Sequence, residues 1–298
     1  MNGASAISMG PFVSRIQRRR RSGHVFELIC TVLSFVGLAF LTVLIARVLW
    51  EGAAWVTLKF LTNFPSTLEP ENAGIKSAFW GTMWLMAITT VIGVPIGVAA
   101  AVYLEEYAPR NLLTKFIHFN ITNLAGVPSI VYGILGLAAF VRWLRFDRSV
   151  LSGGLILTLL VLPVIIIASR EALLAVPKSI REAAYALGAT RWQTVRAHVL
   201  PTALPGIMTG IILAVSRAIG EAAPLITIGA LTYVAFVPTG PLDAFTAMPI
   251  QIYDWSDRPQ QEFHHLAAAG IIVLLGILLP MNAVAVAVRA SQQRKKSW

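Results

Sequence analysis

Uncharged apolar stretches as long as a lipid core decide most of what this chain can fold into. They run over 28–46, 77–104, 119–141 and 149–169. Two more cover 199–242, interrupted by Arg217 and Glu221, and 266–288. A hydrocarbon core of about 30 Å is crossed by roughly 20 helical residues, so each region can supply a span. Barrel strands are about 10 residues long and alternate in polarity, which leaves helices as the spanning form. The expected fold class is therefore an all-α integral membrane protein with six transmembrane helices. Only 13% of the residues are charged, against about 25% in soluble domains.

The Lys/Arg bias sets the orientation. With the N-terminus inside, cytoplasmic segments hold 16 of the 24 basic residues: five in the N-terminal tail, two in 105–116, five in 170–198 and four after 288. Both termini are then cytoplasmic. The basic residues behind the net charge of +10 are spread over those four segments, which reads as a topology signal rather than a nucleic-acid-binding patch, and no nucleic-acid partner is expected. The basic run at 18–21 looks like the start of a signal peptide, but the apolar stretch behind it is too long and no small-residue cleavage pattern follows. The expected organisation is a basic tail over 1–25, a first, uncleaved span over 26–50, a transmembrane domain over 75–289 with a cytoplasmic loop at 170–203, and a basic tail over 290–298.

Several motifs carry no chemistry. Cys30 is the only cysteine, so neither a disulfide framework nor a CxxC metal site exists. His264 and His265 are adjacent and point to different helix faces, so no shared metal site is expected. Leu151-Ser152-Gly153-Gly154 matches an ATPase signature in letters only: it opens an apolar span, and no GxxxxGK[ST] phosphate loop is present. The chain is expected to bind no ATP, no other cofactor and no metal.

Polar residues inside the spans are costly when they face lipid. Asn120, Thr122, Asn123, Ser129 and Tyr132 therefore face the protein, either bonding between helices or lining a substrate path. Arg142, Arg145 and Arg148 stand on an outer loop against one acid, Asp147. They are either a local exception to the charge rule or an attraction for an anion or acidic partner at the outer mouth.

Residues 170–198 are too charged to lie in the membrane. Ile180, Ala183, Ala184 and Leu187 recur at helical spacing, and Gly188 is placed as a C-cap. A short amphipathic helix between two spans lies on lipid or docks in a partner's groove; Glu182 with the small Ala183 and Ala184 suits a protein groove. The pattern Glu182-Ala183-Ala184, Gly188 and Leu200-Pro201 resembles the EAA loop of binding-protein-dependent ABC-importer permeases, with His198 where that family usually has an aliphatic residue. The segments AGVPSIVYG at 125–133 and SRAIGEAAPL at 216–225 resemble phosphate-importer permeases, of the A-type subunit. The resemblance covers roughly 75–289 and implies a type I ABC-importer permease fold in a bacterial plasma (inner) membrane. It also implies a second, similar permease subunit, two copies of an ABC ATPase that carry ATP and Mg, and an external phosphate-binding protein. Glu182, Ala183, Ala184 and Gly188 would contact the ATPase, and this chain would catalyse no bond chemistry.

Arg217 and Glu221 are four residues apart and share a helix face. An unpaired charge at mid-membrane costs about 2.5–3.5 kcal/mol on insertion scales, which pairing or an aqueous cavity relieves. The pair either locks helices together or, as the resemblance implies, presents Arg217 to a phosphate oxyanion; a guanidinium donates bidentately to such groups. Glu221 would orient Arg217 and accept a hydrogen bond from protonated phosphate. Ser129 and Tyr132 join them as candidate path residues. A break is expected near Pro224. The rivals are a permease for sulfate, molybdate or phosphonate, and a stand-alone secondary transporter, which should show inverted repeats.

Overall fold

The computed structural model describes the backbone of residues 10–230 and 233–295. The basic run at 18–21 and the end of the basic C-terminal tail lie outside the residues whose side chains are described. The chain divides into two compact units, Met1–Trp50 and Glu51–Trp298. Helix α1 (Gly10–Gly52) accounts for the described part of the first. Its 43 residues make a rod about 65 Å long at 1.5 Å per residue, so the first span and its basic anchor are one continuous helix.

The second unit begins with α2 (Leu58–Thr62), capped by the Thr57 side chain, and α3 (Lys76–Val102), which ends in a π-helical turn, Tyr103–Tyr107. Next come α4 (Leu112–Leu124) and α5 (Ser129–Gly136), the latter continued by a π-helical segment, Leu137–Trp143. Then follow α6 (Val150–Leu174), α7 (Lys178–Ala186) and α8 (Arg191–Thr194). Helix α8 runs through the π-helical Val195–Val199 into α9 (Leu200–Ile219). Helices α10 (Ala223–Thr227), α11 (Met248–Ser256) and α12 (Gln261–Lys295) complete the chain.

Among the described residues five helices are long and apolar enough to cross a membrane, or six if a bent pair counts as one span. That pair is α4 with the helix Ser129–Trp143, and the two meet at 103°. The apolar run 119–141 is thus not a straight helix. Pro128 lacks an amide hydrogen and disfavours helix in the residue before it, and the chain turns there.

Helices α3, α6 and α9 pack around one core containing Leu85, Ile156, Leu157, Val161, Ile165, Ile207 and Ala214. Helix α6 is central: 67% of its apolar window is buried, against 6% for α12. Lipid is as apolar as leucine, so such helices associate by close packing of small residues rather than by exclusion of water. Gly206 and Gly210 of α9 face Ala172 and Ala168 of α6, a small-residue pair on each helix. Gly153 and Gly154 belong to the same logic: a Cβ there would meet Phe245 at 2.6 Å or Ile88 at 2.6 Å. The LSGG letters are a packing surface. A second core, with Phe60, Ile75, Met248, Trp255 and Phe263, ties residues 58–75 to α11 and the start of α12.

Candidate functional site

The stretch 170–203, read from the sequence as a loop, holds the end of α6, then α7 and α8, and the start of α9. Helix α6 reaches Leu174 and the next long helix begins at Arg191. Between them, α7 is the amphipathic piece. Its end is fixed by two hydrogen bonds, Gly188 N–H to the Tyr185 carbonyl at 2.9 Å and Ala189 N–H to the Ala184 carbonyl at 3.1 Å. Gly188 takes φ +80°, the left-handed conformation that this two-bond cap requires and that glycine adopts without cost from a Cβ. Two residues later, Thr190 and Gln193 form a capping box that starts α8. That T-x-x-Q signature was readable in the sequence.

Glu182, Ala183, Leu187 and Gly188 are exposed on α7 and its cap, whereas Ala184 is 5% exposed and turned into the chain. The predicted stripe therefore divides. The outward face offers Glu182, Ala183 and Leu187, and Ala184 anchors the helix from behind.

Arg181 of α7 holds the helix to the body of the protein. Its Nη2 and Nε donate to Glu106 Oε1 at 2.7 and 3.1 Å, and it also donates to the carbonyls of Leu173 and Val176 at 3.0 and 2.9 Å. Arg170 donates to Glu105 at 3.1 Å. The sequence reading gave Glu105 and Glu106 no role. Their partners lie 65 and 75 residues away, beyond any local spacing rule.

Arg217 and Glu221 are brought together, with Nε 3.5 Å from Oε1. The helix does not continue through both. Helix α9 stops at Ile219, and the pair closes across the turn at Gly220 that precedes α10. The break thus comes before Pro224, which sits in the first turn of α10. The Arg217 side chain is 53% exposed and that of Glu221 19%. One long contact occupies one of five guanidinium donors, so both Nη groups have no partner among the described residues and can grip a planar or tetrahedral oxyanion. A continuous helix runs from Arg191 to Ile219, which puts Arg217 about 39 Å along it from Arg191.

Ser129 starts α5, half-buried, with no hydroxyl partner among the described residues. Tyr132 is 6% exposed and its hydroxyl donates to the Leu124 carbonyl at 2.8 Å. Helix α5 packs on α10: a Cβ at Gly133 would come within 2.8 Å of Pro224 Cα. The polar residues of α5 therefore share α10 as a neighbour with the Arg217–Glu221 turn. The sequence reading missed Asn282, a lone amide in the last apolar run, whose Oδ1 accepts from Ser216 Oγ at 2.8 Å and links α12 to α9 next to Arg217.

In the stretch between α10 and α11, Asp243 accepts from the Thr239 and Gly240 amides at 2.7 and 2.9 Å and from the Thr239 hydroxyl at 3.0 Å. The two amide bonds, then the hydroxyl, hold its carboxyl below the ordinary carboxylate range. His264 bonds the Arg258 carbonyl at 2.8 Å while His265 stacks on Trp55 at 5.9 Å, so the two rings part company. No group of three potential ligands for a metal occurs among the described residues.

Residues 93–296 match the family model described as binding-protein-dependent transport system inner membrane component. The probable ABC transporter permease protein YqgI of Bacillus subtilis is 34% identical over 259 residues, covering 83% of this chain and 88% of that protein. The phosphate transport system permease protein PstA 1 of Mycobacterium tuberculosis is 33% identical over 232 residues, covering 76% and 74%. Among solved structures, a chain of a bacterial alginate ABC transporter, crystallised in complex with alginate pentasaccharide-bound periplasmic protein, superimposes with a TM-score of 0.63. That likeness covers 90% of this chain and 94% of the other at 15% identity, and it speaks for the fold. The all-helical architecture, the capped handle between α6 and α9 and these matches agree: the chain belongs to the family of binding-protein-dependent transport system inner membrane components, multi-pass membrane proteins.

Proposed function

We propose that this chain is the permease subunit of an ATP-driven inorganic phosphate importer in a bacterial plasma membrane, with both termini cytoplasmic. One observation carries the reading: the helix that leaves the handle at Arg191 carries Arg217 in its last turn, and the Nη donors of Arg217 are free among the described residues. A single continuous helix joins a surface fit for a motor to a group fit for an oxyanion. The naming of the mycobacterial relative for phosphate supports the choice of oxyanion.

In this reading the chain forms half of a path shared with a second, similar permease. That partner would cover the exposed side of Arg217. Two ATPase copies bind ATP and Mg and seat α7 through Glu182, Ala183 and Gly188, with Ala184 setting its depth. A phosphate-binding protein delivers the anion from outside. Nucleotide binding and release shift the assembly between outward and inward access, and ATP hydrolysis takes place on the partner alone.

The test is uptake of radiolabelled phosphate by starved cells that lack this gene and all redundant importers, complemented with the parent chain. Restored phosphate uptake, unaffected by excess sulfate, is the expected result. Restored sulfate, molybdate or phosphonate uptake in place of phosphate would reassign the substrate and leave the permease role standing.

A further inference from the structure

Three consecutive residues at the end of α3 each receive a basic side chain from a different downstream element. Glu105 takes Arg170 of α6 at 3.1 Å, and Glu106 takes Arg181 of α7 at 2.7 Å. The Tyr107 ring lies 5.7 Å from the guanidinium carbon of Arg191, the first residue of α8. All three acceptors stand on the π-helical turn Tyr103–Tyr107, a form that recurs at functional positions. The middle contact is the most enclosed, with side chains 7% exposed for Glu106 and 18% for Arg181. Arg181 also donates to the Leu173 and Val176 carbonyls at and just after the end of α6, so four of its five donors are taken up.

Exposed ion pairs hold little, but a buried, hydrogen-bonded pair is strongly disrupted when one partner is removed. Moving α7 away from the end of α3 would break both hydrogen bonds from Arg181 to Glu106, and moving it away from α6 would break the bond to the Leu173 carbonyl. Beside the pair a cavity of about 900 Å³, lined by Tyr107, Arg110, Lys178, Glu182 and Tyr185 among others, leaves room for α7 to swing once the pair is gone.

We propose that Glu106, acting through Arg181, is a positioning residue that makes α7 and the end of α3 move as one body. A displacement received at the handle is thereby delivered to α3 and to the α3–α6–α9 core. The inference rests on reading the chain as an ATP-driven permease.

The experiment uses the whole transporter, purified with its ATPase and reconstituted with its binding protein. Cys30→Ser removes the native thiol, and spin labels are placed at Tyr103→Cys and Leu187→Cys, positions 58% and 90% exposed. Electron–electron distances are read in the nucleotide-free, ATP-trapped and ADP states. In the parent the label distance stays fixed across the states; a change of about one helical turn, roughly 5 Å, in the parent overturns the proposal. In Glu106→Gln the distance becomes state-dependent, and phosphate moved per ATP hydrolysed falls about tenfold or more while ATP turnover persists. An unchanged transport ratio in an assembled Glu106→Gln complex also overturns it, and Glu105→Gln, at the more exposed pair, changes the ratio less than twofold. If Glu106→Gln fails to assemble, the parent distances alone decide. Absence of phosphate uptake by the parent would refute the substrate reading, and the distance measurement would still judge the inference.

Discussion

The hydroxyl of Tyr132 donates to the carbonyl of Leu124 at 2.8 Å, across the 103° bend between α4 and α5. Leu124 is the last residue of α4, and its carbonyl, freed from the intrahelical ladder, accepts from the Val127 amide at 3.1 Å as well as from Tyr132. Tyr132 therefore braces the bend, and its hydroxyl is occupied before any substrate arrives.

Tyr132→Phe keeps the ring and deletes that bond. The expected outcome is a loss of about 1–2 kcal/mol of stability, seen as a lowered midpoint in thermal denaturation of the detergent-solubilised complex, with the KM for phosphate unchanged. A raised KM at an unchanged midpoint would show that the hydroxyl meets substrate.

Gly188→Ala meets no neighbour within 4 Å but must hold φ +80°, a conformation that costs an L-residue about 1–2 kcal/mol. The cap should fray and the ATPase should dissociate more readily, while Gly188→Asn, which tolerates that conformation better, should lie between alanine and the parent. Co-purification of the ATPase with increasing detergent washes gives the order; an alanine variant that retains the ATPase as the parent does contradicts it.

The Asp243 loop should be sensitive to acid. Its carboxyl is held low by the Thr239 and Gly240 amides and then the Thr239 hydroxyl, so the folded value lies below the unfolded one. The stabilisation is fully present above the unfolded value and is lost as pH falls through the folded value. Hydrogen exchange at 239–240, corrected for intrinsic rate, should show protection that persists through mild acid and disappears only below the ordinary carboxylate range. In Asp243→Asn the protection should be weaker and independent of pH; a parent-like acid transition in that variant would assign the loss to another group.

Glu221→Gln exchanges a charged, acceptor-only group for a neutral amide that can also donate to a deprotonated oxyanion, and removes the charge opposite Arg217. Phosphate carries a proton near neutrality and sulfate does not, so the variant should discriminate less well between them, by about tenfold, the scale of one hydrogen bond to a charged group. Competition of sulfate against phosphate uptake measures it. Equal selectivity in variant and parent would remove Glu221 from recognition.

The spans were legible because their signal is local: an apolar run long enough for a membrane needs no partner to be recognised. Gly188 was legible for the same reason, as a glycine directly after a short amphipathic stretch. The bend at Pro128 was not. Proline is tolerated within membrane helices, as Pro95, Pro163 and Pro205 are here, and what separates Pro128 from them is the fold around it, including Tyr132 reaching back to Leu124. Nor was the meeting of Glu106 with Arg181, which depends on α3 and α6 lying side by side. The Arg217–Glu221 contact was anticipated from i, i+4 spacing on a continuous helix, yet it forms across a helix end. The spacing was right, and the stop at Gly220 changes what the pair can do, because it frees Arg217 from the end of a helix rather than fixing it within one.

The most direct test of the account is phosphate uptake by cells lacking the native gene and supplied with Arg217→Gln, with Arg217→Lys and the parent alongside and membrane insertion verified by immunoblot. The account predicts normal insertion with uptake reduced at least about tenfold in the glutamine variant, and partial activity with lysine, which keeps the charge but not the bidentate fork. Full uptake by a normally inserted Arg217→Gln would contradict it and leave the Arg217–Glu221 pair as a fastening at the end of α9.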